Sequence, residues 1–177
     1  MRRRNLASLL SLLTGLILVA CGAAQAMEIH SDAFQAGGAI PKEFGCSGKD
    51  TSLPLAWSGV PASAKSLALI ISDPDAPSGN FVHWVVYNIP PGVTHLGADI
   101  EKSPVLPGGG QQGRNGTGGY GYFGPCPPPG SRHHYHIVLY AVDEPLSRLQ
   151  SATAAQLEQA LKGHVVAQAE LIGTYGR

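Results

Sequence analysis

Glycine and proline interrupt the middle of the chain at short intervals: Gly37-Gly38, Gly59-Val60-Pro61, Pro90-Pro91-Gly92, Pro107 to Gly110 and Gly116 to Gly124. Proline lacks the backbone donor that a helix interior or central strand needs, and glycine weakens both, so the segments between these breaks are confined to short elements. With 23 Gly and 14 Pro distributed in this way, the expected fold is mainly β, an antiparallel β-sandwich with a few peripheral helices.

The apolar, partly β-branched run Ser66-Leu67-Ala68-Leu69-Ile70-Ile71 reads as a buried strand that stops at Asp73, because Pro74 and Pro77 cannot continue a ladder. A second strand is expected over Phe81 to Asn88. Strict alternation puts His83, Val85 and Tyr87 on one face and Trp84 and Val86 on the other. Asp73, Asp75 and His83 then share one rim. Downstream, the Gly/Pro-rich segment Gly119 to Gly130 feeds another strand, on which His133, Tyr135, Ile137 and Leu139 alternate with His134, His136, Val138 and Tyr140. One helix is expected near the end. Thr153 and Gln156 form a capping-box pattern, and Leu157, Ala160, Leu161 and His164 recur at helical spacing up to a break at Gly163. Ala169 to Tyr175 reads as a last strand.

The first residues behave as a targeting segment. Arg2, Arg3 and Arg4 precede an apolar stretch from Leu6 to Ala20, no charge recurs until Glu28, and Ala24-Gln25-Ala26 suits a cleavage site. Residues 1–26 are therefore expected to be a signal peptide and residues 27–177 a single periplasmic or secreted domain. Leu18-Val19-Ala20-Cys21 also resembles a lipobox, the alternative being a membrane-anchored lipoprotein acylated at Cys21. Without the three leader arginines, nine cations remain against twelve acids, a formal charge of −3. With no basic run either, nucleic acid is not an expected partner. Export favours pairing Cys46 with Cys126, free thiols being the alternative, since sequence cannot place the two Cα atoms.

Two motifs point to a family. Asp-Pro-Asp-Ala-Pro from Asp73, followed by His83-Trp84 and Asn88-Ile89-Pro90, joins Tyr122-Phe123-Gly124-Pro125-Cys126-Pro127-Pro128-Pro129-Gly130 and the strand His133-His134-Tyr135. Together they resemble the phosphatidylethanolamine-binding protein family, in its bacterial Raf-kinase-inhibitor-like branch. The likeness spans nearly all of the chain after the leader, including Phe44 to Gly48, Ser52 to Trp57 and Ile172 to Tyr175. The resemblance implies the same β-sandwich and a small anion pocket formed by Asp73, His83, His133 and Tyr135, closed by Gly124-Pro125; Asp75, placed on the same rim by the strand reading, is a further candidate ligand-binding residue. It also implies phospholipid head-group binding and inhibitory contacts with protein partners. Leu53 stands where the family usually has Pro, and His134 where Arg is common, which removes a fixed positive charge beside the mouth.

The chemistry of the residues agrees with an anion site. Phosphate and imidazole both titrate near neutrality, so His83 and His133 can supply charge-assisted donors, Tyr135 adds a neutral one, and Asp73 can accept from a ring nitrogen and fix its tautomer. Anion affinity is then expected to rise as pH falls from about 8 to 6. Asp75 has a second reading, as a turn residue bonded to backbone. A hydrolase triad with Ser72, Ser78 or Ser131 lacks a Gly-x-Ser-x-Gly elbow. His133, His134 and His136 alternate across a strand and do not converge on a metal. The run Gly113 to Gly119 lacks the Gly-Lys-Ser/Thr ending of a phosphate loop and reads as a flexible connector. His30, His95 and His164 read as structural or exposed, and Trp57 and Trp84 as core or pocket wall. The expected function is non-catalytic binding, without cofactor or metal, of a small anionic or phosphorylated ligand. The alternatives are an extracytoplasmic inhibitor or interaction module whose pocket is vestigial, and an uncharacterised hydrolase.

Overall fold

The computed structural model describes residues 26–177, so the leader reading and Cys21 fall outside the described residues. Eight strands follow in chain order: β1 Glu28–His30, β2 Leu55–Ser58, β3 Ser66–Asp73, β4 Phe81–Ile89, β5 His95–Leu96, β6 Gln111–Gln112, β7 Arg132–Val142 and β8 Val165–Gly176. They form a three-stranded sheet, β1-β2-β5, and a five-stranded sheet, β6-β4-β3-β7-β8, with every named pairing antiparallel. The expected mainly β architecture is therefore present. Helix α1, Ala154–Leu161, is joined by a 3-10 turn at Lys42–Phe44.

The large sheet is covered on both sides, which explains the unbroken apolar run in β3. Leu67, Leu69 and Ile71 face the small sheet with Trp84, Val86, Ile137 and Leu139. Ala68 and Ile70 face α1 and its flanking segment with Val85, Tyr87, Val142, Leu157 and Leu161. A central strand buried on both faces has no position left for a polar residue until its end, and there Asp73 appears. Trp84 is fully buried; its indole donates to Gln112 Oε1 at 2.8 Å and meets the Tyr122 ring edge-on.

The capping box forms at α1. Gln156 N–H donates to Thr153 Oγ1 and Thr153 N–H donates to Gln156 Oε1, satisfying two donors that the helix itself leaves free. Thr153→Ala should cost about 1 kcal/mol in a urea titration. A loss below a few tenths would mean that packing of Leu157 and Leu161 alone holds the helix. His164 falls outside it: α1 ends at Leu161, Gly163 takes φ 83°, and His164 turns to Asp143. β8 begins at Val165, earlier than the sequence suggests, because it pairs along nearly the whole of β7.

Two expectations are corrected. Gly113 to Gly119 is tied down rather than loose: Gly113 N–H donates to Val85 O, Gly116 N–H to Val82 O, and the Asn115 side chain bonds Gly121 O and Thr117. Its glycines let the chain pass close to β4, since a Cβ at Gly116 would run into the Phe81 ring. His83 also departs from strict alternation. Ile71 pairs with Trp84 but Ser72 with Val82, so His83 is the extra residue of a β-bulge and turns to the Trp84 side of the sheet, away from Val85 and Tyr87.

Candidate functional site

That bulge aims an imidazole into a cavity of about 370 Å³ at the end of β3, β4 and β7. Asp73, His83 and His133 line it with Phe81, Phe123, Cys126 and Pro128 and with the turn at Ala76 to Ser78. The three polar residues are buried, at 3%, 2% and 6% exposure respectively, although they belong to types that are seldom enclosed without partners. Each has one. His133 Nδ1 donates to Asp73 Oδ2 at 2.7 Å, while Asp73 Oδ1 accepts the Asp75 N–H at 2.9 Å, so the carboxylate is held from both sides. His83 Nδ1 donates to the Phe123 carbonyl at 2.6 Å. A carbonyl can only accept, so the proton of neutral His83 resides on Nδ1 and Nε2 presents a lone pair. Among the described residues that Nε2 is buried and has no hydrogen-bond partner.

Aromatic rings enclose His83. Phe81 and Tyr135 meet it edge-on at centroid distances of 4.9 and 5.1 Å, and Phe123 stacks at 6.0 Å. Burial pushes the His83 pKa below its ordinary value, against the Phe123 carbonyl and the Asp73 charge, which favour the cation. Tyr135 is fully buried against the ring, its hydroxyl has no hydrogen-bond partner among the described residues, and burial, then the Asp73 carboxylate, holds the phenol far above its usual range.

Not every expected site residue reaches the cavity. Asp75 accepts from the backbone N–H and Nδ1 of His134, at 2.8 and 2.7 Å, and points to solvent; the His134 hydrogen bonds hold its pKa low. Its second reading, a backbone-bonded turn residue, fits better. Gly124 and Pro125 stand behind the wall. Gly124 N–H donates to Asp50 Oδ1 at 2.6 Å and Pro125 O accepts from Cys46 N–H at 3.0 Å, so the neighbours Phe123 and Cys126 face inward. Cys46 and Cys126 form a disulfide with Cα atoms 5.3 Å apart. Phe81 is an unforeseen member of the lining, although its place two residues before His83 was the available signal. Asp50 had none, since it meets Gly124 only through the fold. Ser131 Oγ lies 3.4 Å from His133 Nε2 but donates to Pro128 O at 2.7 Å, a hydroxyl directed away from the imidazole.

An antiparallel β-sandwich with a recessed aspartate–histidine cavity at the sheet end thus defines the class to which this chain belongs. The chain is a member of the phosphatidylethanolamine-binding protein family, whose model matches residues 30–176. A UPF0098 protein of Methanothermobacter thermautotrophicus is 46% identical over 151 residues, covering 85% of this chain and 99% of the relative. LppC of Mycobacterium tuberculosis, which carries the name of a lipoprotein, is 42% identical over 154 residues, 86% of this chain and 74% of that one. The crystal structure of the homologue CT736 of Chlamydia trachomatis superposes with a TM-score of 0.79 at 42% identity, covering 86% of this chain and 98% of the other.

Proposed function

We propose that this family member is an exported, non-catalytic protein that binds a small phosphate-like anion in the cavity of Asp73, His83 and His133. The observation that carries the reading is the buried, unpartnered His83 Nε2. An orphaned polar atom in a closed aromatic enclosure costs free energy unless a ligand satisfies it. A protonated phosphate oxygen donates to the lone pair of neutral His83, and an anionic oxygen accepts from the imidazolium, so the same atom serves either protonation state. Phe81 and Phe123 exclude water and strengthen both contacts. A hydrolase reading gains no support from Ser131, whose hydroxyl is already engaged by Pro128.

Export rests on the basic and apolar leader, on a relative that bears a lipoprotein's name, and on a disulfide suited to an oxidising compartment. Among the described residues no helix is long and apolar enough to cross a membrane. Intact mass of the protein from its own cell envelope should correspond to a start at Met27 or at an acylated Cys21. A species retaining Arg2 to Arg4 would refute export.

Calorimetric titration of inorganic phosphate tests the binding reading. His83→Ala and His133→Ala should each weaken binding at least about tenfold, the loss of one charge-assisted hydrogen bond. Unchanged affinity in both would overturn it. The pH profile follows from the depressed His83 pKa. An anion beside Nε2 raises that pKa, so binding takes up a proton wherever the free ring is neutral, and affinity climbs as pH falls. Because burial holds the free ring below its ordinary pKa, the climb extends to lower pH than solvent-exposed histidines would give. With sulfate, which stays dianionic, the rise should continue below about pH 6, where phosphate gains its own proton. A sulfate profile identical in wild type and His83→Ala would contradict this assignment.

A further inference from the structure

A second cavity, about 530 Å³, is lined by the start of β7, the end of β8 and the 39–42 segment, and it carries three cationic side chains, Lys42, Arg132 and Arg177. Among the described residues no acidic side chain lines it, and none of the three cations takes part in an ion pair. In a domain with twelve acids against nine cations after the leader, such a cluster is an exception to the overall balance.

The groove is not a scatter of free side chains. Arg177 is tied in both directions to the turn that precedes β7, its N–H donating to Ser131 O and its carbonyl accepting from Gly130 N–H. Its guanidinium folds back onto the disulfide, with Nη1 3.1 Å from Cys126 Sγ. Cys126 lines the aspartate–histidine cavity on its other side. Ser131 lines the groove, and its Oγ lies 3.4 Å from His133 Nε2. The linings of the two cavities therefore meet at two close contacts, Ser131 to His133 and Arg177 to Cys126.

Resting on the anion-binding reading above, we propose that Lys42, Arg132 and Arg177 form a second anion subsite, so that the natural ligand carries two negative groups, one held by the histidines and one in this groove. Guanidinium forks suit phosphate or carboxylate oxygens, and the short path past Ser131 suits two anionic groups joined by a few atoms. Tethering makes the second contact intramolecular, so affinity gains without further ordering of the protein.

Methyl phosphate and propane-1,3-diyl bisphosphate serve as probes in calorimetric titrations at low salt. In the wild type the bisphosphate should bind at least about tenfold tighter than the monoester, a ratio that shrinks as salt is raised. Arg132→Gln and Lys42→Gln should each collapse that ratio while leaving methyl phosphate affinity unchanged. Equal affinity for both probes in the wild type, or a ratio unaltered in both variants, would overturn the subsite. If instead methyl phosphate failed to bind, or bound His83→Ala and wild type alike, the anion-binding reading itself would fall and the subsite with it.

Discussion

Removing the disulfide, as Cys46→Ala with Cys126→Ala, should lower the unfolding free energy by about 4 kcal/mol, because the bond closes a loop with a sequence separation of 80. Without it, the unfolded chain recovers the freedom that the cross-link denies. The folded state also loses a tether at the cavity, since Cys126 belongs to the wall and Phe123, three residues before it, accepts the hydrogen bond that orients His83. Urea titration of the double variant, and of the wild type with and without reductant, measures the loss. A change below about 1 kcal/mol would show that the backbone bond from Cys46 to Pro125 and the Gly124–Asp50 contact already hold the loop.

Gly124→Ala should be nearly as damaging, at about 3 kcal/mol. A Cβ at this position would collide with the Phe44 carbonyl oxygen, come within 2.6 Å of Asp50 Oδ1 and lie 2.9 Å from Gly45 Cα. Two of those obstacles are backbone and cannot rotate away. Relief requires the 123–126 segment to move off the 44–50 segment, which takes Phe123 and Cys126 with it, so anion affinity should fall as well. Gly92→Ala is the matched control: nothing lies within 4 Å of its added Cβ and its φ is not positive, so it should change stability by less than about 0.5 kcal/mol. A Gly124→Ala protein as stable as Gly92→Ala would mean that the two segments are not in close contact.

Much of this fold is legible in local pattern. β3 announces itself by an apolar run that ends in Asp73, α1 by its capping box, and the turns by their glycines and prolines, because each signal is carried by residues adjacent in sequence. Asp73 and His133 are legible for the same reason, as polar residues at the ends of apolar strands that become neighbours once the strands pair. The phase of His83 was not, because a bulge depends on how β4 registers against β3, and one extra residue reverses the face of everything before it. Asp75 misled through composition. It has the right chemistry and lies two residues from Asp73, yet the turn carries it outward to His134. Asp50, at φ 56° and bonded to Gly124, joins segments far apart in the chain and leaves no local trace.

The central claim, that His83 Nε2 receives an anion, is tested most directly by nitrogen-detected NMR of the histidine rings during titration with inorganic phosphate near neutral pH. In the free protein His83 should show a protonated Nδ1, bonded to Phe123 O, and an unprotonated Nε2. On saturation its Nε2 resonance should move toward the protonated or hydrogen-bonded position while Nδ1 stays a donor. A shift confined to exposed His134 and half-buried His136, with His83 unchanged at saturating phosphate, would contradict the account.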